Sequence, residues 1–292
     1  MSDMSEAFSG NKGYLLPSNW AFDQIHELDV GSGAGLIRID RNVVSGRDTG
    51  FGNLAPEIGV GNDPVIPASQ LDNFENAWFN WCLDHPQAVE PIAMNSNRGL
   101  VKDLVVKHDP FITAQAKKLG IYKAMALTPL IWESLAINPL DDLADALVVK
   151  YYAALSEGKT PAPGTRSDSS TGVCQMFAAT CIEARNWAKA KGYITDGPYR
   201  ENDWRDMWEV WLRLRSDEEF AIQSAIFYMM CNAENHCGVP PVKLRGLNPS
   251  EVARMCMAYN ADMSDPSYDA MIYGREKAQL FYLIRKWHET FR

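Results

Sequence analysis

The residue with the clearest potential for proton transfer is Glu133, which lies in the apolar segment Leu130-Ile-Trp-Glu-Ser-Leu135. An apolar setting disfavours the charged form of a carboxyl group, so such a group can stay protonated near neutral pH and act as a general acid. The alternative is that Glu133 lies on the solvated face of its helix. The periodicity of the segment alone leaves both interpretations open.

A second carboxylate could assist Glu133, and Asp142 is the first candidate. It follows Glu133 nine positions later, and a carboxylate across a cleft can orient or activate an attacking water molecule. However, Asp141 and Asp142 also fall in the first turn of a predicted helix, where free N–H groups and the helix dipole stabilise negative charge. The polar residues 168–170 are alternative groups for positioning water.

Hydrophobic periodicity predicts a mainly α-helical chain around these residues. Residues 1–67 are rich in Gly, Asn, Asp and Pro and are predicted to form an irregular lead-in, with one β-like run at 35–44. From residue 68 onward the apolar spacing is helical, so residues 68–292 are predicted to form one helical domain. The first predicted helices span Leu71–Cys82 and 113–126, and a further segment follows either as a new helix capped by Thr128 or as a kinked continuation. Helices are then predicted at about 139–156, from Val173 onward, and at Trp204–Leu214. A capping box at Ser216–Glu219 opens a helix to about Asn232, Asn248 caps another, and the last runs from about Tyr268 to the C-terminus.

Two breaks in this pattern lie close to Glu133. Asn138-Pro139 must interrupt the helix, because proline disfavours helical geometry in the residue before it, so Glu133 is expected near a helix C-terminus. Residues 156–172 then form a long polar loop, and loops of this length inside domains are often functional.

Composition and charge exclude several classes of function. With 292 residues and 46% hydrophobic content the chain can bury a large core, and no apolar run is long enough to cross a membrane. A net charge of −9 argues against nucleic-acid binding, which needs Lys and Arg to neutralise phosphates. Residues 1–6 lack the features of a secretory signal, so we expect synthesis in the cytoplasm without export by that route.

Motifs for metals, cofactors and other hydrolases are missing. None of the six cysteines forms a Cys-x-x-Cys pair, and they are predicted to be small buried residues, although Cys231 and Cys237 could pair in an oxidising compartment. The histidines lack metal-ligand spacing, and there is no Gly-x-Ser-x-Gly motif. Residues 31–35 lack the Lys-Ser/Thr ending of a phosphate loop. We therefore predict no metal and no cofactor.

Three segments, in matching order, resemble blocks of the soluble lytic transglycosylase and goose-type lysozyme families. Residues 126–139, with Glu133-Ser134 and an Asn-Pro turn, resemble the segment around the catalytic Glu of those families. Ser170-Thr-Gly-Val-Cys-Gln-Met-Phe177 resembles their Ser-x-Gly-x-x-Gln-Met block, and Ala258-Tyr-Asn-Ala261, followed by Tyr273-Gly274, is similar to their Ala-Tyr-Asn-Ala block. The resemblance covers about residues 120–290.

This resemblance implies a lysozyme-like helical fold and cleavage of the β-1,4 bond between N-acetylmuramic acid and N-acetylglucosamine, with Glu133 as general acid. Asp142 stands at the Glu-to-Asp interval of phage-type lysozymes and would activate water. Gln and Tyr side chains can bond or pack against sugars, whereas a helix start and core packing are their alternative roles. The implied substrate contacts are Gln175, Tyr259, Asn260 and Ser170. Trp204, Trp208 and Trp211, at helical spacing, are predicted to be core residues.

In overall design the chain also resembles the C-terminal lysozyme domains of type VI secretion effectors. That resemblance implies an antibacterial role in the periplasm of a target cell, with peptidoglycan strands as substrate and an immunity or delivery protein as partner. The alternatives are a lytic transglycosylase, a chitinase-like enzyme, or a non-catalytic glycan-binding or structural module of a phage or secretion machine.

Overall fold

The computed structural model of the chain describes residues 63–84, 91–137, 139–261, 263–264 and 266–290. Within these ranges the regular secondary structure is helical, and the β-structure is limited to an isolated bridge between Thr171 and Met176. The prediction of a mainly α-helical fold is confirmed. The predicted lead-in, including the β-like run at 35–44, lies outside the described residues apart from 63–67.

Nine α-helices are described, and they are numbered here in chain order. They are α1 (Leu71–Asp84), α2 (Pro91–Leu119), α3 (Ala124–Ala136), α4 (Pro139–Ser156), α5 (Ala178–Ala190), α6 (Trp204–Ser216), α7 (Glu218–Cys237), α8 (Pro249–Met257) and α9 (Tyr268–Thr290). Short 3₁₀ turns precede α1 at Ala68–Gln70 and α8 at Pro241–Gly246.

Helix α3 lies at the centre of the molecule. Every residue from Ala124 to Leu135 is buried, and α3 packs against α2, α7 and α9. A helix that is apolar on all sides requires neighbours on all sides, which this arrangement provides. Glu133 is the one acidic residue on α3, so the fold places it close to the core.

Helix α9 packs against several other helices. It packs closely on α8 and also contacts α3 and α1. Gly274 permits the close approach, because a Cβ atom there would lie 2.6 Å from both the carbonyl oxygen of Ala253 and the Cβ of Met257. Helix α7 packs against α5, α6 and α8 and also contacts α3.

Several predicted helices are confirmed at their expected positions. The apolar face from Leu71 to Cys82 forms α1, and α4 spans the predicted 139–156. Asn248 caps α8 through a capping box with Glu251, in which the backbone N–H of Glu251 donates to Asn248 and that of Asn248 donates to Glu251. Here local side-chain chemistry alone determined where a helix begins.

Other predicted boundaries are wrong. The helix predicted at 113–126 is interrupted: α2 ends at Leu119 and α3 begins at Ala124. Thr128 lies inside α3 instead of capping it. Val173 does not restart a helix, since residues 171–176 form a turn closed by the Thr171–Met176 bridge and α5 begins at Ala178. Asp217, not Ser216, caps α7 by accepting from the backbone N–H of Phe220, and α7 continues to Cys237.

The six cysteines are all described, and each is a free thiol. All except Cys237 are buried, which agrees with the prediction that they serve as small core residues. The pairing considered for Cys231 and Cys237 is not formed: Cys237 bonds the carbonyl of Glu251 instead.

Candidate functional site

The site is centred on Glu133 in the last turn of α3. Its side chain is 8% exposed, and its Oε1 accepts hydrogen bonds from the hydroxyl of Tyr273 and from Nζ of Lys277. Within the described part of the chain Oε2 accepts no hydrogen bond, and it is not among the fully buried unsatisfied atoms. Oε2 is therefore the oxygen through which this carboxyl group can meet a ligand.

Helix α9 supplies both partners of Glu133. Tyr273 and Lys277 are four residues apart, so they project from one face of the helix, and Nζ of Lys277 also donates to the hydroxyl of Tyr273. The ring of Tyr273 packs edge-on against Trp132, at 6.1 Å between ring centroids, which fixes its position beside α3.

Lys277 is almost fully buried, with 1% of its side chain exposed. Burial lowers the pKa of Lys277, and the carboxylate of Glu133 opposes that change. Nζ also lies over two aromatic rings, 4.4 Å from the centroid of Tyr259 and 4.0 Å from that of Tyr273. Sequence analysis missed Lys277, although the spacing Tyr-x-x-x-Lys in a predicted helix already placed it on the face of Tyr273.

The loop before α5 is tied to the same site. Ser134 donates from its hydroxyl to the carbonyl of Val173 at 2.7 Å, and the Tyr259 hydroxyl donates to the carbonyl of Cys174 at 2.8 Å. The segment around Glu133, the block 170–177 and the block 258–261 therefore meet in space, although they are far apart in sequence.

Gln175 holds an unusual backbone conformation in this loop. Its φ is +45°, in the left-handed region that residues other than glycine rarely adopt, and its Nε2 donates to the carbonyl of Gly172 at 3.0 Å. Its side chain is partly exposed. A strained residue in such a loop is a candidate for ligand contact, and the contact predicted for Gln175 stays a prediction.

Asp142 is exposed on the first turn of α4, and no contact links it to Glu133. The buried carboxylate of this helix is Asp145, which sequence analysis missed. It accepts from the hydroxyls of Ser169 at 2.9 Å and Thr171 at 3.0 Å and pairs with Arg215 at 2.6 Å. Asp145 thus anchors the start of the loop that carries Gln175.

The other predicted contacts are distributed around this loop. Ser170 is partly exposed between the two residues that bond Asp145, and Asn260 is exposed beyond α8. Asp168 accepts from the backbone N–H groups of Ser169 at 2.9 Å, Ala178 at 2.9 Å and Ala179 at 3.0 Å, so it caps α5. Burial raises the pKa of Asp168, and these backbone bonds oppose that change.

Another carboxyl group with a raised pKa lies next to Lys277 in the sequence. Burial raises the pKa of Glu276 to about 7, and its Oε2 has no hydrogen-bond partner in the described ranges. The nearby group in the structure is the buried thiol of Cys82 on α1, so Glu276 faces α1.

The tryptophans of α6 form a stacked series with α4. The ring centroid of Tyr152 lies 4.8 Å from that of Trp208, which in turn lies 5.4 Å from Trp211. Trp211 is fully buried, as predicted, whereas Trp204 and Trp208 are half-buried. A surface depression at the start of α6 is lined by Asn186 and residues 199–205, and Glu133 does not line it.

Two further features are absent from the described residues. No group of three or more His, Cys, Asp or Glu side chains there could hold a metal ion. None of the helices described is both long and apolar enough to span a membrane.

Comparison with known proteins gives two partial similarities. The chain is 50% identical over 68 residues to the uncharacterized protein YbfG of Bacillus subtilis (strain 168), and 54% identical over 54 residues to the uncharacterized protein FadG of the same organism. The matches cover 23% and 18% of this chain and 9% of each relative, so the chain spans about a tenth of the length of these relatives. No protein-family model and no solved structure matches the chain.

Proposed function

We propose that this protein is a glycosidase that cleaves the β-1,4 bond between N-acetylmuramic acid and N-acetylglucosamine in peptidoglycan, with Glu133 as general acid. The observation that carries the proposal is the meeting of three segments around one carboxyl group. The loop 170–177 is bonded to Ser134 and to Tyr259, and among the described residues nothing donates a hydrogen bond to Oε2 of Glu133 beside them. These are the segments whose sequences resemble lytic transglycosylases and goose-type lysozymes.

The chemical step needs one proton and one nucleophile. Glu133 gives the proton on Oε2 to the glycosidic oxygen while the bond between that oxygen and the anomeric carbon breaks, and the bonding electrons remain on the oxygen. The nucleophile then attacks the anomeric carbon and returns a proton to Oε2. Gln175 and Asn260 would contact the sugar through their amide groups.

The surroundings of the other carboxylates favour a lytic transglycosylase as a second candidate. Both oxygens of Asp145 and of Asp168 are already bonded, and Asp142 is exposed without a link to Glu133. A lytic transglycosylase needs no second carboxylate, because the C6 hydroxyl of the muramic residue attacks and Glu133 serves first as acid and then as base. The predicted role of Asp142 in activating water applies only to the hydrolase.

Digestion of purified sacculi tests the proposal. We expect the protein to release soluble muropeptides, and Glu133→Gln to lower the rate at least about 100-fold, because general acid catalysis is lost while the shape is kept. Mass spectrometry separates the two candidates: reducing ends indicate hydrolysis and anhydro ends indicate transglycosylation. Glu209→Gln changes an exposed carboxylate on α6 and is the matched control, which should keep the full rate.

A non-catalytic module is the competing candidate. It is favoured by the low exposure of Glu133 and by its pairing with a buried lysine, since such a pair could be purely structural. Binding of the protein to sacculi without release of fragments, unchanged in Glu133→Gln, would support this candidate and exclude the glycosidase.

The antibacterial role is a further part of the proposal. We expect that directing the protein to the periplasm of a Gram-negative host causes lysis, whereas the same amount in the cytoplasm does not, because only the periplasmic protein reaches the wall. An immunity or delivery protein would then act as partner. Equal survival in both compartments would contradict this role.

The strained conformation of Gln175 gives a second test. Gln175→Gly removes the cost of a positive φ for a residue with a side chain, so we expect the free energy of unfolding to stay constant or to rise by up to about 1 kcal/mol. The rate of fragment release should nevertheless fall at least about tenfold, since a ligand contact is lost. Rates and denaturation curves are measured on the same preparation.

Gln175→Asn is the matched control, because asparagine tolerates positive φ and keeps an amide group. It should retain stability and more activity than Gln175→Gly. If Gln175→Gly keeps the full rate, the side chain has no role in binding the substrate.

A further inference from the structure

Two residues of α9, Tyr273 and Lys277, hold the carboxyl group of Glu133 on α3. Lys277 and Tyr273 both contact Oε1 of Glu133, so neither competes with a substrate for Oε2. The pair is fixed from several sides, because Lys277 packs over Tyr259 and Tyr273, and the ring of Tyr273 packs against Trp132. The orientation of the Glu133 carboxyl group is thereby determined by α9.

Among the described residues, one group of opposite charge faces Lys277. Burial raises the pKa of the Cys174 thiol well above its ordinary range and that of Cys256 to about 12, and the pKa of both tyrosines is raised as well, so these groups are neutral at ordinary pH. The titratable groups that face Lys277 are Glu133 of α3, Cys174 of the loop, Cys256 of α8, Tyr259 after α8, and Tyr273 of α9. The Lys277 ammonium therefore acts electrostatically on the Glu133 carboxyl group.

We propose that Lys277 is a positioning residue that holds Glu133 by Oε1 and stabilises the carboxylate formed when Oε2 gives up its proton. This inference rests on the proposed function. In the reaction, the proton moves from Oε2 to the leaving oxygen, and the negative charge left on Glu133 lies against the ammonium of Lys277 and the hydroxyl of Tyr273. The return of a proton to Oε2 restores the starting state.

The same geometry gives Tyr273 a different role from that of Lys277. Its hydroxyl orients the carboxyl group without contributing charge, so it should affect the rate more than the pH range. Two substitutions on one face of α9 thus separate orientation from electrostatics: Lys277→Met removes the charge but keeps an unbranched chain, and Tyr273→Phe removes only the hydroxyl.

The first measurement is the pH profile of fragment release from sacculi. For Lys277→Met we expect the alkaline limb to move up by about one pH unit or more, because the nearby cation no longer favours the carboxylate. The maximal rate should fall about tenfold, since the acid becomes weaker. Tyr273→Phe should lower the rate several-fold with a much smaller displacement of the limb. An unchanged limb in Lys277→Met would overturn the inference.

The second measurement needs no activity and no substitution of Lys277. NMR spectra of lysine side chains labelled at Cε and Nζ report whether each amine is charged, and Lys123, the other fully buried lysine, serves as internal reference. In Glu133→Gln we expect Lys277 to lose its proton at lower pH than in the wild type, while Lys123 titrates as before. Identical Lys277 titration in both proteins would overturn the inference even if Lys277→Met failed to fold.

Failure of the proposed function can be distinguished from failure of the role inferred for Lys277. Absence of fragment release at every pH, or full activity in Glu133→Gln, removes the proposed function. Release by the wild type together with an unchanged profile in Lys277→Met removes only the role assigned to Lys277.

Discussion

Gly172→Ala is expected to lower the free energy of unfolding by about 3 kcal/mol or more. Two costs combine at this position. Gly172 has a φ of +70°, which costs a residue with a Cβ atom roughly 1–2 kcal/mol. The new Cβ would also lie 2.1 Å from the carbonyl oxygen of Leu214, far inside contact distance, so the loop or α6 must move. Chemical denaturation at neutral pH measures the loss.

Gly158→Ala separates these two costs. Gly158 has the same φ of +70°, but nothing lies within 4 Å of a Cβ atom built there. Its substitution should therefore cost only the roughly 1–2 kcal/mol of the backbone conformation. Equal losses of stability in both variants would mean that the structure relieves the close contact between position 172 and Leu214 at no cost in free energy.

The effect of Gly172→Ala should also reach the candidate site. Gly172 accepts the side-chain bond of Gln175, and its neighbour Thr171 bonds Asp145. A shift of the loop by the distance that the clash requires would break these contacts, and misplacement by about 1 Å can cost a factor of 100 in rate. We therefore expect fragment release to be lost under conditions in which the protein is still folded.

The helices that the sequence predicted well are those whose ends depend on nearby residues. The box of Asn248 and Glu251 closes within four residues, and the apolar face of α1 needs only helical spacing. The start of α3 depends on a distant contact: the backbone N–H of Lys123 donates to Asp63 at 2.8 Å, sixty positions away. Thr128 could therefore not be recognised as an interior residue.

The residues of the candidate site also differ in whether the nearby sequence or a distant contact determines their position. Glu133, Gln175 and Tyr259 were singled out because their blocks resemble known sequences, and their role in a site stays a prediction. Lys277 could not be predicted, since a lysine in a predicted helix is expected to be exposed, and its burial depends on a carboxylate 144 positions away. Asp145 was missed for a similar reason, because its partners lie in a loop that periodicity cannot position.

Lys123→Met is expected to lower the free energy of unfolding by about 3–5 kcal/mol, because it leaves a buried carboxylate without its counter-ion. Lys123 is fully buried; its Nζ pairs with Asp109 and donates to the carbonyl of Pro64 at 2.8 Å. Asp109, 3% exposed, in turn accepts from the backbone N–H of Ile66 at 2.6 Å. The cluster thus anchors residues 63–66 to α2 and to the start of α3.

Two readouts test this prediction. Chemical denaturation gives the loss of stability, and hydrogen exchange should show faster exchange of the Ile66 amide, whose acceptor Asp109 is no longer held by Lys123. Lys102→Met is the matched control, because Lys102 also forms an ion pair, with Asp72 and Glu75, but is 36% exposed. Water can replace its contacts, so its loss should be a small fraction of that for Lys123→Met.

The double variant Asp109→Asn/Lys123→Met identifies the cause of the loss. If the cost of Lys123→Met arises from an uncompensated buried charge, neutralising Asp109 should recover a large part of it, because an amide oxygen can still accept from Ile66. If the double variant is as unstable as Lys123→Met alone, the contribution of Lys123 comes from its bond to Pro64 and its packing. The buried charge would then have no net role in holding this segment to the helical core.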